Sequence, residues 1–345
     1  MAFLEQLFAI ARNTFFECVR QAVTLIVVIA ATLLVFLSNQ FAAFTMSDDQ
    51  RMFVDIALST VFMAGAVLAA FLATSVVDDE IRNRTVLTVV SKPVARGTFV
   101  LGKYLGVCAA LLASIAVPCM AFFLVEVHGV IQTAATPVGW PCVLFGISAA
   151  VVTVGTAGWC NFFYGKSFGA LTIMLGGPML LLAYTLSLLF DPQWNVIELS
   201  KEFRGELWAA AALMSMALAI LAAIAIAAST RLGQILTIGV TIGVLVLGLL
   251  SDWVIGRRIQ ALEKALAIGG DAGSAPTIID QLGLFAAKLA YAAIPNFQVF
   301  WMVDAVNQAQ PIPLDYFVRA IGYGALFVIA ANAIAIALFQ RREVG

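Results

Sequence analysis

Charge is what this sequence lacks most. Of its 345 residues only 11% are Asp, Glu, Lys or Arg, while 62% are hydrophobic. A soluble domain is about one-quarter charged and roughly half apolar. This chain therefore has too little polar surface to clothe a water-soluble globule, and its surplus apolar surface must face lipid. Histidine is almost missing: His128 stands alone. A metal site or proton relay would need partners for it, and Glu126 lies two residues away, where side chains of a helix do not face each other. The five cysteines (Cys18, Cys108, Cys119, Cys142, Cys160) form no C-x-x-C pair and lie mostly in apolar runs. They read as small buried hydrophobes, with no disulfide framework or metal site in prospect. No G-x-S-x-G, H-E-x-x-H or paired intramembrane acid is present, so an intramembrane enzyme lacks its chemistry. The net charge of −1 gives no reason to expect nucleic acid as a partner.

What the sequence has is long apolar runs. A helix needs about 20 mainly apolar residues to cross the hydrocarbon core, and the chain offers Gln21–Leu37, Phe53–Val77, Tyr104–Val127, Trp140–Phe163, Phe168–Phe190, Leu207–Thr230, Leu232–Leu250 and Phe317–Phe339. The fold class is an all-α integral membrane protein, a polytopic helical bundle of about eight spans. Some twenty residues of mixed charge precede the first run, unlike the n-region of a signal peptide, so it is expected to be an uncleaved span. The sixth and seventh runs are separated by little more than Arg231 and should form a tight hairpin or share a kinked connection.

With the N-terminus cytoplasmic, 11 of the 19 basic residues fall on cytoplasmic pieces against six acids, and the outside receives eight bases and fourteen acids. That asymmetry fits the positive-inside rule with both termini in the cytoplasm. The organisation that follows is an amphipathic interfacial helix over 1–20, spans one and two over 21–77, a cytoplasmic loop over 78–103, spans three to seven over 104–250, an extracytoplasmic helical or re-entrant tract over 251–316, and a last span with its cytoplasmic tail over 317–345. In the first segment Phe3, Leu4, Leu7, Phe8, Ala11, Phe15 and Val19 recur at helical spacing, the pattern of a helix lying along a membrane face.

Charges within the spans are sparse: Asp55 and Arg319 sit near outer ends, while Asn161 and Asn332 are suited to bonding between helices. Ion-coupled carriers commonly mark their route with intramembrane acids or histidines, which counts against self-powered proton coupling. Two near misses to a phosphate loop occur. Gly97 to Lys103 fits G-x-x-x-x-G-K, but Tyr104 stands where Ser or Thr would hold magnesium; Gly165-Lys166-Ser167 has Cys160 where a glycine is needed. Both read as short cytoplasmic connections. Gly239 and Gly243 form a G-x-x-x-G in the seventh span, and Gly155 and Gly158 lie on the fourth; such spacing favours helix pairing. Gly176-Gly177-Pro178 should kink the fifth span.

The most informative tract is the loop from Asp78 to Lys103. It begins with Asp78, Asp79 and Glu80, passes through Arg82 and Arg84, and ends in Lys92, Arg96 and Lys103. A loop that merely sets orientation needs the bases but not the acids or the apolar centre of Val86, Leu87, Val89 and Val90. Those side chains call for a covering surface, hence a partner protein. Local propensity at Val86–Val90 favours strand.

This tract resembles the loop between the second and third spans of type-2 ABC exporter permeases, in which an acidic residue, a basic-Thr segment, a Lys-Pro-Val-x-Arg turn and a Gly-Lys before the next span recur. Ala9–Arg20, Ile294–Gln298 and Phe339–Glu343 resemble that family's N-terminal helix, last outer loop and C-terminal stop. The resemblance implies a permease subunit, an exporter, in the cytoplasmic (inner) membrane of a prokaryote, with no cofactor on this chain. ATP and Mg would be bound by a separate ABC ATPase subunit, and the membrane unit would be completed by a second permease copy or a homologous permease. Residue by residue, Glu80, Arg82 and Thr85 would begin a coupling element, Leu87 and Val90 would lie in its apolar centre, and Lys92, Pro93 and Arg96 would form its exit. The family's core has six spans, so the eight read here are that core plus an additional pair, with Leu207–Leu250 the place to look for it. An ion-coupled secondary carrier and a non-transporting anchor or assembly subunit are the alternative functions. Nothing in the spans chooses among lipid, peptide, ion or drug as substrate.

Overall fold

A computed structural model of the chain describes residues 2–42, 49–82, 95–130, 138–198, 203–269 and 278–340. Among these the helices are α1 (Ala2–Val19), α2 (Ala22–Ala42), α3 (Asp49–Arg82), α4 (Arg96–His128), α5 (Trp140–Tyr164), α6 (Phe168–Ser187), α7 (Gly205–Ser229), α8 (Gln234–Ser251), α9 (Arg257–Gly269), α10 (Ile278–Ala293), the short α11 (Val303–Asn307) and α12 (Leu314–Gln340). A π-helical turn, Asp252–Gly256, joins α8 to α9, and a 3-10 turn, Phe297–Phe300, precedes α11. Among the described residues the sole β pairing is an isolated bridge between Phe190 and Val196.

Eight of these helices (α2 to α8 and α12) are long and apolar enough to cross a membrane. Helix is what such sequences must form in lipid, because no water is there to satisfy an open backbone. The helices begin and end close to the apolar runs; the largest differences are at α3 and α4, which continue well past theirs. At 1.5 Å per residue the 34-residue α3 and the 33-residue α4 are each about 50 Å long, well beyond a hydrocarbon core of about 30 Å. The two therefore overshoot the bilayer. The expected tight hairpin between the sixth and seventh spans is found, with α7 ending at Ser229 and α8 starting at Gln234.

The core is organised around α4, whose apolar window is 78% buried, against 22% for α5, α8 and α12. It packs against α1, α2, α3, α5, α6, α7 and α12. Phe122 and Phe123 on α4 carry the aromatic centre, with Phe53 of α3 beside the first and Tyr184 and Trp208 beside the second. Helices α3 and α7 pack closely as well; at Gly65 an added Cβ would run into the Leu218 side chain.

Several expectations can be set beside the structure, and the roles expected of Asn161 and Asn332 need correcting. Helix α6 runs unbroken through Gly176-Gly177-Pro178. A Cβ at Gly176 or Gly177 would lie 3.3 Å from Val117 or 3.4 Å from Ala116, so these glycines let α6 approach α4 instead of breaking the helix. Gly155, Gly158, Gly239 and Gly243 face open space and pack on no helix of this chain, because α5 and α8 turn those faces away from the core. Asn161 and Asn332 do not bond between helices. Asn161 donates to the Lys166 carbonyl at 2.7 Å, closing the turn after α5, and Asn332 donates to Val328 one turn back. The tract after Ser251 is largely helical, with α9 and α10 packed on each other and Lys288 paired to Glu263 at 2.7 Å.

Candidate functional site

The loop expected to meet a partner lies between the ends of the two overshooting helices. Glu80 and Arg82 are on the last turn of α3, and Arg96 opens α4. Thr85, Leu87, Val90, Lys92 and Pro93 lie outside the described residues. The chain resumes at Ala95, whose extended backbone (φ −64°, ψ 135°) leads into α4. Arg96 is exposed, yet its guanidinium donates to the Gln340 carbonyl at 2.6 Å. That bond satisfies one of the last, otherwise orphaned carbonyls of α12 and sets a cation at the helix's negative end. Phe99, one turn further on, stacks on Phe339 with ring centres 5.5 Å apart. The loop exit is thus fastened to the end of α12.

On its other side the start of α4 is fastened to α1. A Cβ on Gly102 would sit 2.7 Å from Ile10 Cγ2, and one on Gly106 would sit 2.5 Å from both the Ala11 carbonyl oxygen and Thr14 Cβ. Gly102 and Gly106 thus form the small-xxx-small contact of this bundle. Between them Lys103, only 2% exposed, places Nζ 3.5 Å from Glu17 Oε2 and 5.8 Å from the centre of the Phe99 ring. Gln21, just after α1, donates to Ser75 Oγ of α3 at 2.9 Å. Helix α1 therefore does not merely lie on a membrane: one face is clamped to α4 while Phe3, Leu4 and Phe8 remain exposed on the other.

Neither phosphate-loop near miss forms a phosphate cradle. Gly97 to Lys103 lies inside α4, where backbone N–H groups beyond the first turn are already used, and Lys103 is buried against Glu17. Gly165 caps α5 in the left-handed region (φ 61°, ψ 24°), and Ser167 caps α6 by accepting from the Ala170 N–H at 3.4 Å. These residues turn the chain; they do not cradle phosphate.

Residues 8–176 match the family model described as ABC-2 family transporter protein. Over that stretch, just under half of its length, the chain is similar to ABC-2-type permeases. The matched stretch takes in most of α1, all of α2 to α5, the 78–103 loop and the beginning of α6, and so includes the whole clamp around Lys103. A comparison with curated proteins returned no match. The family and the eight apolar helices together make the permease a multi-pass membrane transport subunit.

At the opposite end of the bundle the permease holds a second polar cluster that sequence reasoning missed. Arg204, just before α7, bonds Glu126 near the end of α4 and reaches Glu206 at 2.9 Å and the Val306 carbonyl of α11 at 2.6 Å. Asn307 donates to Asp55 of α3 at 2.6 Å, so the short α11 is tied down twice. Glu126 is nearly buried, and Arg204 alone gathers three elements. The sequence offered only a span-end acid and a loop arginine 78 residues apart, a separation with no local signature.

Proposed function

We propose that this permease is the membrane subunit of an ATP-driven exporter whose ATP and Mg2+ are bound by a separate ABC ATPase, docked on the loop from 78 to 103. The observation that carries this reading is the double fastening of the first turns of α4, at the exit of that tract. Arg96 and Phe99 hold α12, while Gly102, Lys103 and Gly106 hold α1. A load applied at the loop would reach α1, α3, α4 and α12 together, which is what a mechanical coupling point requires. The exposed faces of α2, α5, α8 and α12 provide the area for lipid and for a second permease, a copy or a homologue, that would complete the translocation path. The cytoplasmic (inner) membrane of a prokaryote, with both termini inside, is the setting this mechanism calls for.

The test is reconstitution. The permease, co-expressed with a candidate ABC ATPase, should purify as a complex, and inside-out vesicles carrying the complex should accumulate substrate only with hydrolysable ATP. Transport that runs without ATP and collapses when ion gradients are dissipated would instead establish a secondary carrier.

A further inference from the structure

The end of α8, the Phe297–Phe300 turn and the short α11 gather against the first half of α3, the half away from Lys103. Between them lies a cleft of about 620 Å³, with Ser59, Phe62 and Met63 of α3 on one side and Gln298, Trp301 and Asp304 on the other. That volume is within the range of small-molecule sites, roughly 300–1,000 Å³. Local sequence builds both walls. Ser59, Phe62 and Met63 fall at i, i+3 and i+4, so a single face of α3 supplies the first wall. On the other side, a Cβ at Gly248 would run into Phe297 and the Pro295 carbonyl, so this glycine lets the turn settle on α8. Gln298 then donates from Nε2 to the Leu249 carbonyl at 2.8 Å, which fixes its amide. Phe62 is buried at the base, and half-buried Trp301 meets it edge-on with ring centres 5.5 Å apart.

Charge at this cleft is of one sign. Asp304 is exposed, and among the described residues no hydrogen bond or ion pair engages its carboxylate. Asp55 lies one turn before Ser59 on the same face of α3. It accepts from the neutral amide of Asn307 at 2.6 Å, which leaves its charge in place. The described lining holds no Lys or Arg. Arg204, which reaches α11 through the Val306 carbonyl, is already paired with Glu126 and Glu206. An anion would therefore be repelled. A metal ion would lack ligands, since no three His, Cys, Asp or Glu side chains gather in that way among the described residues. A carboxylate beside a Trp–Phe wall is complementary to a cation with an apolar body: the acid supplies Coulomb attraction, and the ring faces attract the same charge while covering the body.

We propose that this cleft binds an organic cation, a quaternary or protonated amine on an apolar body, with its charge against Asp304 and its body against Trp301, Phe62 and Met63. Binding here does not require the cation to be transported, so the proposal stands apart from the exporter reading and is tested without an ATPase.

The experiment measures equilibrium binding of tritiated benzyltrimethylammonium to the purified full chain in phosphatidylcholine nanodiscs, whose bilayer carries no net charge. Binding should saturate. Unlabelled benzyltrimethylammonium should compete at least roughly tenfold better than its neutral isostere neopentylbenzene, a modest share of the attraction between charges near a protein surface. Benzylsulfonate, of similar size and opposite charge, should not compete. Asp304→Asn should weaken binding by a similar factor and Asp304→Glu should retain it, whereas Asp191→Asn, an exposed acid outside the cleft, should change nothing. Trp301→Leu should weaken binding more than Trp301→Phe, which keeps an aromatic face. An acid in the first turn of α11 also favours that helix, so the unfolding midpoint is read for each variant, and that of Asp304→Asn should be unchanged. Uptake that does not saturate, or that is indifferent to Asp304→Asn, would overturn the proposal and leave bulk partitioning only. Equal competition by the neutral isostere or by benzylsulfonate would overturn it as well, since the carboxylate would then select nothing.

Discussion

Lys103 Nζ stands 3.5 Å from Glu17 Oε2, and the lysine is buried while the glutamate is 32% exposed. The cation that opens the α4 span is therefore neutralised by an acid from α1, not by solvent. Orphaning a fully buried charge costs about 3–5 kcal/mol; here water reaches the acid, so the cost should fall below that range. Glu17→Gln is expected to lower the thermal unfolding midpoint in detergent. Replacing both partners, Glu17→Leu with Lys103→Met, should recover part of the loss, because this pair is then removed whole. A double variant as unstable as the single one would mean that the pair is not the relevant contact.

The glycines give a contrasted pair. Gly106 has no room for even one methyl group, with the Ala11 backbone oxygen 2.5 Å from where it would sit, whereas Gly243 faces open space. Gly106→Ala should destabilise by about 1–3 kcal/mol, the usual cost of overpacking. Gly243→Ala should be neutral or stabilise by up to about 1 kcal/mol through helix propensity. Both are read from the unfolding midpoint of the isolated permease. Should Gly243→Ala instead disrupt an assembled complex while sparing the isolated chain, that face of α8 would be a contact with another subunit.

Cys18 reports on the seating of α1. Burial first, with Glu17 beside it, pushes its thiol up to about 12, and Lys103 pulls only partly the other way. A thiol with so high a value stays protonated between pH 7 and 9, and the protonated form is a poor nucleophile. Maleimide labelling of Cys18 should therefore be slow across that range and rise only weakly with pH. Gly106→Leu, which forces α1 off α4, should make it fast. Rapid labelling in the unaltered permease would show that α1 is not clamped in solution.

Much of this architecture is legible in the sequence, because a membrane imposes a length and a polarity that few other folds satisfy. All eight runs correspond to helices, and the ends differ where charged residues extend a helix beyond lipid, as at Val77–Arg82. What could not be read is which face of each helix meets a neighbour. Gly239 and Gly243 have the same spacing as Gly102 and Gly106, yet only the latter pair touches another helix. Spacing fixes a face on one helix but says nothing about where the bundle turns it. Lys103 reads as an orientation signal until Glu17, 86 residues earlier, is brought beside it, and Arg204 reads as a loop cation until Glu126 is.

Isolated from any ATPase, the permease should show no nucleotide affinity. Gly97–Lys103 is helical and Lys103 already faces Glu17, so no set of free N–H groups surrounds a phosphate site. Equilibrium binding with a fluorescent ATP analogue should give no saturable signal. A signal abolished by Lys103→Ala would defeat the borrowed-ATPase reading.

Docking at the 78–103 loop is the sharpest claim. Val86, Leu87, Val89 and Val90 form an apolar run flanked by Glu80 and Arg82 before it and Lys92 and Arg96 after it. Full burial of one such side chain is worth roughly 1.5–3 kcal/mol, so two or three of them seated in a partner's groove would supply a substantial share of the docking energy. Flanking charges at a rim set register and association rate more than affinity. Replacing Leu87 and Val90 with Asp should release the ATPase while the permease remains inserted, with an unchanged unfolding midpoint. Arg96 needs two substitutions, because its guanidinium also holds the Gln340 carbonyl. Arg96→Gln removes the charge while keeping a donor, and Arg96→Glu reverses the charge. If Arg96 acts electrostatically on the ATPase, Arg96→Glu should weaken assembly more at low salt than at high salt, where screening is strong. If it acts only by fastening α12, Arg96→Gln, which keeps a donor, should be the milder variant, and neither effect should depend on salt. A Leu87/Val90 double variant that keeps its ATPase and its substrate-stimulated hydrolysis would reduce the loop to a connector, and coupling would have to be sought elsewhere on the permease.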